Sequence, residues 1–361
     1  MSDGLEDVIA AETVLSDVDG LAGRLIVRGL PLQAIAGRLT FEEALALLWD
    51  GFFPALPRDL TRPLAQARAE VFADAAPHFA ALADRPVFDA MRTLLSRLDD
   101  GTGLDSALRL AAAPGVYLAG LLRQRDGKAP LAPDADLRHA ADTLRMMSGL
   151  EPARERAAAL DAYLVTVIDH GLNASTFTAR VIASTQAGLA SSVLGALGAL
   201  KGPLHGGAPG PVLDMIDAIG SAGRAEAWIE AELAAGRRLM GFGHRIYRVR
   251  DPRADALNAA IGRLKKANAV DLARLDLAAT IEGTALAPLQ RHKPDRPLQT
   301  NVEFYTALLL EAVGFPRDAF TAVFAAGRVG GWIAHAMEQA AGGRLIRPKS
   351  RYVGPEPKVA A

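Results

Sequence analysis

The sequence predicts a mainly α-helical protein of two domains with a minor short β element. Three observations carry this. Apolar residues recur at helical spacing in long segments along the chain. Strand-like alternation is brief. The chain has 361 residues, 50% of them hydrophobic, which is enough for a large core and more than one typical domain holds.

The elements follow in order. "GRLIVRG" at 23–29 alternates and reads as a hairpin arm. Thr40 and Glu43 form a capping box ahead of "ALALLWDGFF", and Pro54 is expected to stop that helix. Segments 153–169, 175–200, 224–235 and 304–313 carry the helical period. "GRLIRP", near the end, is a second strand-like stretch. Glycine and proline combine between helical runs in "KGPLHGGAPGP" at 201–211 and "EAVGFPRDAF" at 311–320. A domain inserted between these breaks gives a large domain from 1–207 plus 315–361 and a small one from 208–314. The tail from Arg347 has no helical period, so it is either disordered or wraps a neighbouring surface.

Composition excludes several classes of function. The formal net charge of −1 gives no global attraction to nucleic acid or anionic membrane. With no cysteine there is no disulfide, thiolate metal site or cysteine nucleophile, which suits a cytoplasmic protein. The acidic opening "MSDGLEDVIAAETVLS" lacks the basic and apolar regions of a signal peptide. The longest bland apolar stretch, 187–200, falls short of the roughly 20 residues a membrane span needs. A soluble protein is expected.

Three of the seven histidines stand at breaks in the helical pattern. His170 lies in "IDHGLNAST", where one helix ends and Asn173 or Ser175 caps the next. His205 lies in "GPLHGG" and His244 in "GFGHRIYRVRDPR", each beside glycines that let backbone or ligand come close. His78, His139, His292 and His335 have no comparable setting and read as structural. Behind His244 crowd Arg245, Arg248, Arg250 and Arg253, whose guanidinium groups suit carboxylates and phosphates if they are not simply a solvated basic face. Arg328 sits inside the apolar helical stretch "FAAGRVGGWIAH"; buried there, it needs an anionic partner, and a ligand carboxylate is one option. Glu303, in "NVEFYT", stands at the mouth of another apolar helix, where the macrodipole alone favours an acid.

"DHGLNASTFTARV", "GALKGPLHGGA", "GFGHRIYRVRDPR", "NVEFYTALLL", "FAAGRVGGWIAH" and "IRPKSRYVGP" occur in the order and at the separations of the citrate synthase family, which the chain resembles along nearly its whole length. The resemblance implies a helical homodimer with shared active sites and a citrate synthase-like two-domain fold. It implies condensation of oxaloacetate with acetyl-CoA, or another acyl-CoA, as co-substrate, with no metal and no permanently bound cofactor. It gives His205 to the thioester carbonyl and the enol, His244 to the ketone of oxaloacetate, and Glu303 to the place of the general base. His170, Arg253 and Arg328 become ligands of the dicarboxylate, and Arg347 reaches the site from the other subunit. Arg248 and Arg250 meet the CoA phosphates, with Arg296 in the place of a family lysine.

Two departures stand out. The family's base is an aspartate in "NVDFY" where this chain has Glu303, and its "HGGANE" is here "HGGAPGP". Three other readings compete: a 2-methylcitrate synthase or other enzyme for longer acyl-CoA, a catalytically weak paralogue with a structural or regulatory role, and a metal-dependent lyase using His170, His205 and His244. The crowded arginines count against the lyase, since they would repel a cation.

Overall fold

A computed structural model describes residues 4–5, 8–207, 209–244, 246–267, 269–294 and 298–355. Strands β1 (Ser16–Asp19), β2 (Arg24–Val27) and β3 (Leu30–Pro31) form one small antiparallel sheet, with Ser16 opposite Val27 and Ile26 opposite Pro31. The helices follow: α1 (Leu32–Ile35), α2 (Phe41–Trp49), α3 (Thr61–Ala75), α4 (Phe79–Leu82), α5 (Val87–Leu95), α6 (Leu104–Arg125), α7 (His139–Ser148) and α8 (Arg154–Thr166). Then come α9 (Ala174–Ala183), α10 (Leu189–Leu200), α11 (Gly210–Ile219), α12 (Ala225–Ala234), α13 (Pro252–Lys266), α14 (Leu272–His292), α15 (Val302–Val313) and α16 (Phe320–Gly342). The mainly helical class and the minor β element are as the sequence predicts.

The capping box forms: Thr40 Oγ1 accepts from the Glu43 N–H and Glu43 returns a bond to the Thr40 N–H. Pro54 does not end this helix. α2 stops at Trp49, and Gly51, at φ +81°, turns the chain first. The segment 175–200 is not one helix either. Gln186 and Gly188 take positive φ, and Asp100 accepts from Ser191 N–H and Oγ–H to open α10 afresh. "GRLIRP" makes no strand; residues 343–353 have neither helix nor strand, and Ile346 N–H donates to Ser184 Oγ.

α16 is the central helix. It packs against α6, α8, α9 and α10, and its apolar positions are buried on every side. α6, also buried nearly all round, carries α3, α5 and α7. Among the helices of 208–314, α11 meets α14 and α15, α12 meets α14, and α13 meets α15. α13 and α15 both rest on α8. The end of α8 therefore lies under both α16 and α15, and the His170 turn follows it. Among the described residues no helix is long and apolar enough to cross a membrane.

Candidate active site

Two segments 58 residues apart are zipped together to bring Glu303 beside the His244 loop. Phe242 and Thr300 form an isolated antiparallel bridge. Gly243 N–H donates to Gln299 O at 2.8 Å, and Asn301 N–H to Gly241 O at 2.9 Å. Asn301 then does double duty: its Oδ1 caps α15 by accepting from Glu303 N–H at 3.0 Å, and its Nδ2–H donates to Gly243 O at 2.7 Å. Gly241 and Gly243 both sit near φ +80°, which their lack of a side chain allows.

Across from this, Asn173 caps α9, with Oδ1 accepting from Ser175 and Thr176 N–H. Ser175 supplies no cap; its hydroxyl points at His205, 2.8 Å from Nε2, and also accepts from Trp332 Nε1–H at 3.1 Å. The same hydroxyl lies 2.8 Å from Asn173 Oδ1 and donates to it, which makes His205 Nε2–H the donor to Ser175 Oγ; with the serine proton turned to His205 instead, Nε2 accepts. Only the second arrangement leaves His205 Nδ1–H as a donor. α16 comes close enough to deliver Arg328 because Gly331 lies against the backbone: a Cβ there would sit 2.2 Å from Ile168 O. Arg328 is 1% exposed, donates through Nε to Val167 O, and lies over the Phe324 ring at 4.9 Å. It makes no ion pair among the described residues, and burial brings its pKa down to about 10.

The remaining groups converge on the same place. Asp251 caps α13 and holds Arg253 through Nε at 3.1 Å and Nη2 at 2.8 Å. His244 Nδ1 accepts from Ile246 and Tyr247 N–H at 3.0 and 3.1 Å, so its proton belongs on Nε2, which lies 3.1 Å from Arg253 Nη2. Two donors side by side are what a carbonyl or carboxylate oxygen satisfies. The ring centroids of His170 and His244 are 6.1 Å apart, and Tyr247 bridges them with its hydroxyl 3.1 Å from His170 Nε2. A cavity of about 250 Å³ opens beside His244, lined by Tyr247, Arg248, Leu298 and Asn301 among others.

The electrostatics divide by residue type. Burial, reinforced by nearby arginines, lowers all three histidines: His205 and His244 fall to about 4, and His170 lies well below its ordinary value. They are neutral imidazoles at pH 7, fit to donate hydrogen bonds rather than to act as cations. Burial pushes Glu303 up to about 7, with Asp251 adding to the rise and Arg253 and Arg328 opposing it. The Glu303 carboxyl makes no hydrogen bond or ion pair among the described residues. No group of His, Asp and Glu among those residues could hold a metal ion.

The structure thus gathers His170, His205, His244, Arg253, Arg328 and Glu303. Arg248 is exposed at the cavity rim, and Arg250 is engaged by Asp255 and Glu282. Arg347 is exposed in the tail, and Arg296 lies outside the described residues. The sequence does not single out Tyr247, Asp251 or Trp332, offers Ser175 only as a helix cap, and leaves His335 as structural. Residues 328, 332 and 335 share one helix face, a spacing that was there to be read.

Comparisons with known proteins show the family. The family described as "Citrate synthase, C-terminal domain" matches residues 4–349. The chain belongs to the citrate synthase family. It is 37% identical over 377 residues to the citrate synthase of Haloferax volcanii, covering 97% of this chain and 95% of that one. It is 35% identical over 373 residues to the 2-methylcitrate synthase of Mycobacterium tuberculosis, covering 99% and 91%. The crystal structure of citrate synthase from Thermotoga maritima superimposes with a TM-score of 0.85 at 36% identity, covering 100% of this chain and 98% of that one. Members of this family are enzymes that transfer the acyl group of an acyl-CoA to oxaloacetate.

Proposed function

We propose that this chain condenses acetyl-CoA, oxaloacetate and water to citrate and free CoA. One observation carries the reading: a carboxyl with no ion pair among the described residues, Glu303, stands among two buried arginines and three neutral histidines. Oxaloacetate brings two negative charges, which Arg253 and Arg328 neutralise with His170 beside them. Its ketone oxygen takes the place between His244 Nε2–H and Arg253 Nη2–H. With the Ser175 proton turned to His205 Nε2, the thioester carbonyl of acetyl-CoA accepts from His205 Nδ1–H, which stabilises negative charge as it develops. Glu303 removes the α-proton, the resulting carbon attacks the ketone carbon, and the ketone oxygen takes the His244 proton. Hydrolysis of the thioester then releases CoA.

Arg248 serves the CoA phosphates at the cavity rim. Arg250, held by two carboxylates, serves them only if those contacts open, and the family's lysine position falls to Arg296. The same reading takes 1–207 plus 315–361 as a large domain and 208–314 as a small one that closes over oxaloacetate. It takes the active enzyme as a cytoplasmic homodimer of the tricarboxylic acid cycle, with Arg347 crossing to the partner's site. The 2-methylcitrate synthase relative, together with Glu303 in place of aspartate, favours a second reading in which propionyl-CoA or a longer acyl-CoA is preferred.

A thiol-release assay with oxaloacetate against a panel of acyl-CoAs tests both. Release with acetyl-CoA supports the first reading, and release confined to longer acyl groups supports the second. No release with any of them overturns the enzyme. For the shared site, mixing Arg347→Ala with His205→Ala chains is expected to recover activity through heterodimers carrying one intact site. Heterodimers that form without recovery place Arg347 elsewhere.

A further inference from the structure

The N-terminal hairpin is far in sequence from every residue given a role above, yet it touches both loops that carry the oxaloacetate histidines. On one side, Ser16 of β1 bridges the His170 turn. Its hydroxyl donates to Asp169 Oδ2 at 2.5 Å, and its oxygen accepts from Gly171 N–H at 3.0 Å. A single side chain therefore grips both residues flanking His170. Asp169 is wholly buried and meets His335 Nε2 at 3.3 Å. His335 Nδ1 faces Arg180 Nη1 at 3.0 Å, a donor only, so the imidazole proton lies on Nε2 and points to Asp169. Arg180 is held by Glu338, whose other oxygen accepts from Val14 N–H at 2.8 Å. The network leaves the hairpin at Ser16 and returns at Val14, two residues before it.

On the other side, the β1–β2 turn supports the His244 loop. Arg248 N–H donates to Gly20 O at 2.9 Å, and a Cβ on Gly20 would lie 2.3 Å from Ile246 O. Ile246 is also one of the two residues whose N–H groups hold His244 Nδ1. A displacement of the Ile246 peptide therefore reaches the His244 ring directly.

We propose that the β1–β2 hairpin is a positioning element of the oxaloacetate site, with Ser16 holding the His170 turn and Gly20 holding the His244 loop. The inference rests on the reading of His170 and His244 as oxaloacetate ligands. Neither Ser16 nor Gly20 touches substrate; each acts through the loop it grips. Buried polar groups tied at both ends fix a turn more tightly than packing alone, since a group left unpaired there costs the desolvation it cannot recover.

Oxaloacetate titration by calorimetry, with steady-state kinetics and melting curves, tests the proposal on Ser16→Ala, Ser16→Thr and Gly20→Ala. Ser16→Ala is expected to weaken oxaloacetate binding about tenfold, the order of effect of one lost hydrogen bond. Ser16→Thr, which keeps the hydroxyl, restores it. Gly20→Ala is expected to lower kcat/KM by about 10²-fold, as misplacement of a reacting group by roughly 1 Å can do. Should Ser16→Ala fail to fold, the Gly20→Ala result decides. Variants that melt lower but keep wild-type oxaloacetate affinity and kcat/KM would show the hairpin to be structural only and overturn the inference. Failure of the parent reading looks different: wild type itself then gives no oxaloacetate signal, and both claims fall together.

Discussion

Glu303 on α15 and Asp161 on α8 are two carboxyls that burial pushes up to about 7, and their surroundings are opposite. Around Glu303 the main opposition to that rise comes from two arginines, Arg253 and Arg328. Around Asp161 the next largest influence after burial is another acid, Glu42, which pushes the same way. Asp161 also has a settled structural task, accepting from Phe41 N–H at 2.9 Å to complete the first turn of α2. The Glu303 carboxyl has no such task. A raised carboxyl pKa is therefore no mark of function by itself. What distinguishes the two is the sign of the charge nearby and whether the oxygens are already committed.

Glu303→Gln breaks the comparison at its sharpest point. Turnover is expected to fall by about 10²–10⁴-fold, the range for losing a general base, while oxaloacetate still binds. Unchanged turnover in the thiol-release assay would reduce Glu303 to a helix-start acid, no different in kind from Asp161. Glu303→Asp refines the point. A gain with acetyl-CoA means the site is still built for the shorter acid, and a loss means it has been rebuilt around glutamate.

Arg328→Leu removes one of the cations that set the two regions apart. Wild type is expected to melt higher in oxaloacetate, by an amount corresponding to about 2.7 kcal/mol at a hundredfold excess over Kd. The variant is expected to lose that shift. A folded variant that keeps it would show that Arg328 is no ligand of the dicarboxylate.

The pH dependence separates the regions by their consequences. Glu303 must be ionised to accept a proton, so kcat/KM is expected to rise with pH through about 7. A profile flat above pH 5.5 would contradict Glu303 as a base with a raised pKa. Asp161 acts on stability instead. Its folded pKa lies above its unfolded value, so between about 4 and 7 the folded chain holds a proton that the unfolded chain has released, and stability falls as pH rises. Asp161→Asn keeps the bond to Phe41 N–H and lacks that decline. Its melting temperature relative to wild type is expected to climb by a few degrees from pH 4 to pH 8, with kcat unchanged. An equal decline in both chains would place the titration elsewhere.

Much of the fold could be read along the chain because its signals are local. The Thr40–Glu43 box, the Asn173 cap and the helix that opens after Asn301 depend on residues within a turn of one another. Most departures turn on a distant residue, present or missing; the Pro54 stop is a local one. The helix expected over 175–200 breaks because Asp100 offers the second half a new N-terminus, and nothing near Gly188 announces that partner. Pro54 was credited with a stop that Gly51 makes earlier. "GRLIRP" alternates like a strand but finds no neighbour to pair with among the described residues. His335, read as structural, joins Asp169 and Arg180 in a buried network that only the approach of α16 to the His170 turn could reveal.

Read along the chain, the protein already declares its helical segments, the order of its motifs and the chemical kinds of side chain available at each break. Residue type and local periodicity suffice for that, because helix propensity, capping and turn preference act over a few residues. The protonation states that make those side chains useful come from the fold alone. Three histidines become neutral, Arg328 is buried with no ion pair among the described residues, and Glu303 rises to about 7. Desolvation and through-space charge set these values, and some of the charges act from more than a hundred residues away in sequence, Arg328 on His170 and His205 and Asp169 on Arg328.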